Sequence, residues 1–173
     1  MIGMIGSLTP VPLAWVESDP VTCARRLVGA RLVGGGCEGV IVETEAYVAG
    51  ERDAACHTFN RPSARAFVAV HRAGAAYIYF NYGMHWMLNV LVKGRGDGFV
   101  LIRALEPAAG LGAMRRRRRR VDPRALCSGP GKLCQAFAIT GRHHGIDLCG
   151  GGSRGLFAPR GSRLRIETAS RIG

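Results

Sequence analysis

Two apolar runs, 75–80 and 85–92, are separated by Asn81-Tyr82-Gly83-Met84, and this arrangement constrains the fold more than any other stretch of the chain. Both runs are rich in β-branched and aromatic residues, and Asn and Gly are turn formers. The spacing predicts a β-hairpin with Tyr82 at or near its tip. A third run, 39–47, alternates strictly. Val40, Val42, Thr44 and Ala46 share one face; Ile41, Glu43, Glu45 and Tyr47 share the other. The first face is small and apolar, suited to burial. The second carries two carboxylates and an aromatic ring. Shorter strands are expected at 31–33, 99–103 and 164–167, with turns at Gly34-Gly35-Gly36 and at 94–98.

Helix signals fall between these strands. Asp19 is placed as the N-cap of a helix over 19–28, with Pro20 at its first position. Glu106-Pro107 is expected to open a second helix that ends in the arginine block from Arg115 to Arg120, where bases suit the end of the helix dipole. Ser128-Gly129-Pro130 should open a third, running through Ala138. Residues 51–72 read as irregular and residues 1–10 as a flexible tail. There is no internal repeat and no clean linker. The expectation is an α+β fold: a single compact domain over 11–173 with a mostly antiparallel sheet and flanking helices.

Charge narrows the function. The 173 residues include 24 Lys and Arg against 12 Asp and Glu, a formal charge of +12. Lys93 and Lys132 are the lysines, so the chain favours arginine. A taste for arginine does not explain a twofold excess of bases over acids. Nucleic acid is the first candidate partner. No apolar run reaches membrane-spanning length, and the first sixteen residues lack the pattern of a secretion signal. A cytoplasmic protein, not secreted, is expected. The six cysteines form no CxxC pair, and they sit with the five histidines at no familiar zinc spacing, so no metal is expected.

All four tyrosines, Tyr47, Tyr77, Tyr79 and Tyr82, fall in a short part of the chain. In a basic protein they suggest stacking on bases, although a strand residue such as Tyr77 is as readily a packing residue. Glu43 and Glu45 share a strand face. A carboxylate on a DNA-binding surface repels phosphate, so it is costly unless it activates a water or stabilises a developing cation. The ordinary alternative is a solvent-facing residue paired with an arginine. Gly129-Pro130-Gly131-Lys132-Leu133 fails as a phosphate loop, because the spacing is wrong and Leu133 stands where Ser or Thr would hold magnesium. It reads as a helix N-terminus whose amides face a DNA phosphate.

Several motifs then occur in a fixed order. They are Glu43-Thr44-Glu45-Ala46-Tyr47, Cys56-His57, Tyr77 to Trp86, Leu88-Asn89-Val90, Leu101-Ile102-Arg103-Ala104-Leu105-Glu106-Pro107, and Leu126 to Ala136. Together they closely resemble the alkyladenine (3-methyladenine, or methylpurine) DNA glycosylase family, from about Val16 to the end of the chain. The resemblance implies a curved antiparallel sheet bearing a DNA-intercalating hairpin. It implies excision of alkylated purines such as 3-methyladenine and 7-methylguanine, and often of ethenoadenine and hypoxanthine, from double-stranded DNA by a monomer without a cofactor. It assigns Glu45 as general base for the attacking water and Arg103 as its partner. Tyr47, His57 and Tyr79 become the walls of the base pocket, and Asn89 the screen at the purine edge. Ile172 matches a position whose backbone helps hold the water. Tyr82 becomes the wedge that replaces the flipped nucleotide. Lys132 and Arg115 are expected on the DNA backbone. No lysine occupies the matched site, so no lyase step is expected.

The chain departs from the family pattern in the stretch 63–74, by one extra residue between Tyr47 and His57, and by a C-terminal segment shorter than the family's. These departures keep an alternative open: a damaged-DNA-binding relative without turnover.

Overall fold

The computed structural model describes residues 8–51, 53–120, 122–159 and 165–171. The core of the molecule is a six-stranded antiparallel sheet in the order β3-β4-β5-β2-β1-β6. Its strands are β1 (Arg31–Gly34), β2 (Cys37–Val48), β3 (Ala76–Asn81), β4 (His85–Val92), β5 (Gly98–Ala109) and β6 (Gly155–Phe157). The helices are α1 (Leu13–Val16), α2 (Pro20–Leu27), α3 (His57–Asn60), α4 (Pro62–Val70), α5 (Leu111–Arg118), α6 (Pro123–Leu126) and α7 (Pro130–Ala136). The fold is the expected single compact α+β domain with a curled antiparallel sheet. Most of the expected tail, residues 1–7, lies outside the described residues.

One face of the sheet carries the main core. Ile78, Leu88, Val90, Val100 and Ile102 point into it, and Leu27 of α2 and Leu133 of α7 cover it. The helix α2 begins as read, with the Asp19 side chain accepting from the Thr22 amide at 2.9 Å and Pro20 at the first position. Cys23, Ala24 and Leu27 form its buried stripe. The opposite face carries a smaller core of Cys56, Ala64, Phe67, Ala75, Tyr77, Leu91 and Phe99, roofed by α4.

That roof corrects one expectation. Residues 51–72 contain α3 and α4 rather than irregular chain. Neither helix has a side-chain N-cap, so the usual start signal is missing. Tertiary contacts hold them instead. Phe67 meets Tyr77 of β3 edge-on at 5.1 Å and packs against His144 at 4.5 Å. The Arg65 guanidinium donates to the Thr58 carbonyl at 2.8 Å.

A second correction concerns Glu106-Pro107, which continues β5 instead of opening a helix; Pro107 pairs with Gly39. Pairing of β5 with β4 runs no farther than Leu101, so this end of β5 is a sheet edge, where a missing N–H is tolerated. The helix begins only after Gly110, whose φ of +77° turns the chain. Third, the described part of 164–167 is not a strand. The edge strand β6 lies earlier, at Gly155–Phe157, too short to show as a period.

The alternation in β2 also breaks. Cys37, Gly39 and Ile41 are buried, and Val42, expected inside, is 47% exposed. The register explains this. Ile41 faces Leu105 and Glu43 faces Ala104, so Val42 is an extra residue. The next pair is Thr44 with Ile102, so Arg103 is an extra residue on β5. Each bulge reverses the facing of the residues beyond it. Thr44 and Ala46 therefore reach the main core, with the Thr44 hydroxyl donating to the Ala24 carbonyl at 2.9 Å. Glu43, Glu45 and Tyr47 remain on the opposite face, as read from the sequence.

Candidate active site

On that opposite face the strand registers align Tyr77, Asn89, Leu101 and Glu45 in one row across β3, β4, β5 and β2. The neighbouring row carries Leu91, Phe99 and Tyr47. Asn89 and Glu45 are two strand spacings apart, about 10 Å, a span comparable to a purine nucleoside. On this face lies a cavity of about 30 Å³ lined by Tyr47, Ala55, His57, Tyr77, Tyr79, Asn89 and Phe99.

The carboxylate end of the row is tightly paired. Arg103 Nη1 donates to Glu45 Oε2 at 2.7 Å and Nε donates to Glu43 Oε1 at 2.8 Å. The Tyr47 hydroxyl donates to the other Glu45 oxygen, Oε1. Two donors leave lone pairs on both Glu45 oxygens for a water. Burial, reinforced by the Glu45 carboxylate, raises the Tyr47 phenol well above its ordinary range, so it stays a donor at neutral pH. Glu45 also borders a groove of about 780 Å³, with Glu43, Arg103 and the segment 165–171 along its sides.

His57 opens α3 and packs against Tyr79 with ring centres 4.3 Å apart, and its Nδ1 meets the Tyr77 hydroxyl at 3.1 Å. Burial, with help from the Arg61 charge, pushes its pKa down to about 4. The imidazole facing the pocket is neutral at pH 7. A stability consequence follows. Between the ordinary imidazole value of 6.5 and about 4 the unfolded chain binds a proton at His57 that the native chain refuses. Stability should therefore fall as pH is lowered through that window. Urea melts at several pH values should show a shallower slope in His57→Gln, by up to about one proton; an unchanged slope would mean that His57 is not held neutral.

Asn89 is buried and spends its amide N–H on the Tyr77 carbonyl at 3.2 Å. Tyr82 stands at the other end of the β3–β4 hairpin. The Met84 amide donates to the Asn81 carbonyl at 3.0 Å. Tyr82 and Gly83 take φ of +52° and +64°, the two positive values that a type I′ turn requires. A tyrosine in the left-handed region is uncommon and costs energy. Here it holds a ring that is 83% exposed at the tip. The helix α7 docks beside the turn end of the hairpin: a Cβ on Gly131 would meet His85 Cβ at 2.8 Å. This brings exposed Lys132, paired with Ser128 Oγ at 3.0 Å, next to the hairpin.

Arg115 is exposed on α5, but the arginine block is not uniform. Arg117 donates to the Ala136 and Gly35 carbonyls, both at 2.8 Å, and Arg118 to the Leu126 carbonyl at 3.2 Å. These two tie helices together instead of offering charge to DNA. Ile172 lies outside the described residues. Among the described residues no three His, Cys, Asp or Glu side chains are grouped to hold a metal, and no helix is long and apolar enough to cross a membrane.

The structure thus brings Tyr47, His57, Tyr79 and Asn89 to the cavity, places Glu45 and Arg103 on the neighbouring groove with Tyr47 joining the two through its hydrogen bond to Glu45, and leaves Tyr82, Lys132 and Arg115 on the surface. Ala55, Tyr77 and Phe99 join the lining without having been singled out as site residues. The period-two match of Tyr77 with Tyr79, and of Phe99 with Leu101 and Arg103, was the available signal.

An aromatic pocket beside a paired carboxylate, with an exposed tyrosine on a hairpin tip in a basic molecule, defines a class of enzyme that acts on bases in DNA. The family model for methylpurine-DNA glycosylase matches residues 14–173. A relative from Rhodopseudomonas palustris, assigned as a 3-methyladenine DNA glycosylase, is 46% identical over 82% of this chain and 69% of its own length. One from Bradyrhizobium diazoefficiens with the same assignment is 46% identical over 95% of this chain and 80% of its own. A third, from Agrobacterium fabrum, is 44% identical over 80% and 69%. The chain belongs to the methylpurine-DNA glycosylase family and is a DNA N-glycosylase, a hydrolase of DNA repair.

Proposed function

We propose that this protein flips alkylated or deaminated purines out of duplex DNA and hydrolyses their N-glycosidic bond with a water activated by Glu45. The substrates are 3-methyladenine and 7-methylguanine, with hypoxanthine and ethenoadenine as further candidates. The observation that carries the reading is the Glu45–Arg103–Tyr47 cluster, with hydrogen bonds to both carboxylate oxygens, at the edge of an aromatic cavity. An alkylated purine is electron-poor and stacks well on π faces. It also leaves readily, so its departure demands little acid catalysis.

In this reading the water oxygen bonds to C1′ while the C1′–N bond breaks. The bonding pair returns to the purine, and the water proton passes to Glu45. Glu45 also faces the oxocarbenium-like sugar as its charge develops. Arg103 orients the carboxylate, Tyr47, His57 and Tyr79 enclose the base, and Asn89 screens its edge. The Ile172 backbone, by resemblance, helps to hold the water. Tyr82 fills the gap in the stack. Lys132 and Arg115 contact phosphates, and the protein works as a cytoplasmic monomer.

The test is single-turnover release of free base from duplexes carrying one 3-methyladenine or one hypoxanthine. Release of either purine supports the reading and names the base. Tight binding to the lesion with no release of either would replace it with a damaged-DNA-binding protein.

A further inference from the structure

The Tyr47 wall is pinned from behind. Arg171, on the irregular segment 165–171, donates from Nη1 to Asp53 Oδ2 at 2.7 Å and from Nη2 to Asp53 Oδ1 at 2.6 Å. Nη1 also reaches the Ala46 carbonyl at 3.1 Å. The guanidinium lies over the Tyr47 ring, 4.7 Å from its centre. Asp53 is only 8% exposed. Its carboxylate also accepts from the Val48 amide at 3.0 Å and the Ala55 amide at 3.2 Å. The Arg171 hydrogen bonds hold its carboxyl below the usual range, so the pair stays charged through neutral pH.

These contacts have a direction. Ala46 and Val48 flank Tyr47 on β2, and Ala55 lines the cavity. Arg171 borders the groove and is not part of the cavity lining, so the Tyr47 ring stands between them. The ring is held at its face by Arg171 and at its hydroxyl by Glu45.

We propose that Arg171 is a positioning residue for the glycosylase reaction: clamped by Asp53, it fixes the Tyr47 ring so that the phenol stays on the Glu45 carboxylate. The inference rests on Glu45 acting as the base.

The experiment compares wild type, Arg171→Ala, Arg171→Lys, Tyr47→Phe and the Arg171→Ala/Tyr47→Phe double variant. Arg171→Ala should slow single-turnover cleavage by roughly tenfold while affinity for lesion DNA changes by less than about threefold. Lysine should restore only part of the rate, since it keeps the charge but not the forked pair or the stacking. In the Tyr47→Phe background the arginine change should add less than about twofold, the coupling expected of two residues acting as a unit. Fully additive losses, or a loss confined to DNA affinity, would overturn the proposal and make Arg171 a phosphate contact. A second readout does not need cleavage. Amide hydrogen exchange at Val48 and Ala55 should quicken at least about tenfold in Arg171→Ala, and unchanged exchange would show that no clamp exists. A wild type that releases no purine, yet responds this way in exchange, would overturn the reading of Glu45 and not the clamp.

Discussion

Glu45→Gln should release damaged purine from duplex DNA about 10²- to 10⁴-fold more slowly than the wild type under single-turnover conditions, the range that general-base catalysis supplies. The substitution is close to isosteric. A glutamine oxygen can still accept from Arg103 Nη1, and its amide can donate to the Tyr47 oxygen, so the packing around β2 has no reason to change. What disappears is the group that takes the water proton and the negative charge beside the sugar. Affinity for lesion DNA should hold or rise slightly, because one carboxylate fewer faces the phosphates. This pairing of lost rate with retained binding is the signature to look for. A variant within about threefold of the wild-type rate would remove Glu45 from the chemistry. Attention would then pass to Glu43, which shares Arg103 but is far more open to solvent.

The second large effect belongs to the hairpin tip. Tyr82→Ala should slow release from duplex DNA by about ten- to a hundredfold, since a few kcal/mol of unstacking would no longer be offset by an inserted ring. On a single strand carrying the same lesion there is no partner strand and less stacking to replace, so the loss should shrink to within about threefold. Stability should not fall, because the ring is 83% exposed and alanine relieves little packing. The two-substrate comparison separates a wedge from a pocket residue. Equal losses on duplex and single strand would mean that Tyr82 acts on the base itself, or on the fold of the hairpin.

The parts of this fold legible in sequence were those in which local chemistry and tertiary context agree. The β3–β4 hairpin announces itself through two apolar runs around Asn81 and Gly83. The helix α2 does so through Asp19 and Pro20. The candidate site was drawn for a different reason: Glu45, Arg103, Tyr82 and Asn89 lie in motifs whose order the family resemblance supplied. The failures share a cause. Helices α3 and α4 lack capping side chains; Arg65 ties the two together, and Phe67 is held by Tyr77 and His144 from distant parts of the chain. At 106–107 a local helix signal lost to pairing with β2. The Asp53–Arg171 pair joins residues far apart in the chain, which no periodicity reports.

The two bulges beside the site have one further consequence, best seen as a reading-frame problem. Val42 adds a residue to one strand and Arg103 adds one to its neighbour, so the two errors cancel and pairing beyond them is back in step. Remove Val42 alone and every position from Glu43 to Val48 slips by one. Thr44 and Ala46 would turn toward the cavity, and Glu45 and Tyr47 would be driven into an apolar core. The geometry of the candidate site thus depends on a pair of compensating insertions, and length variation there is tolerable only when both strands change together.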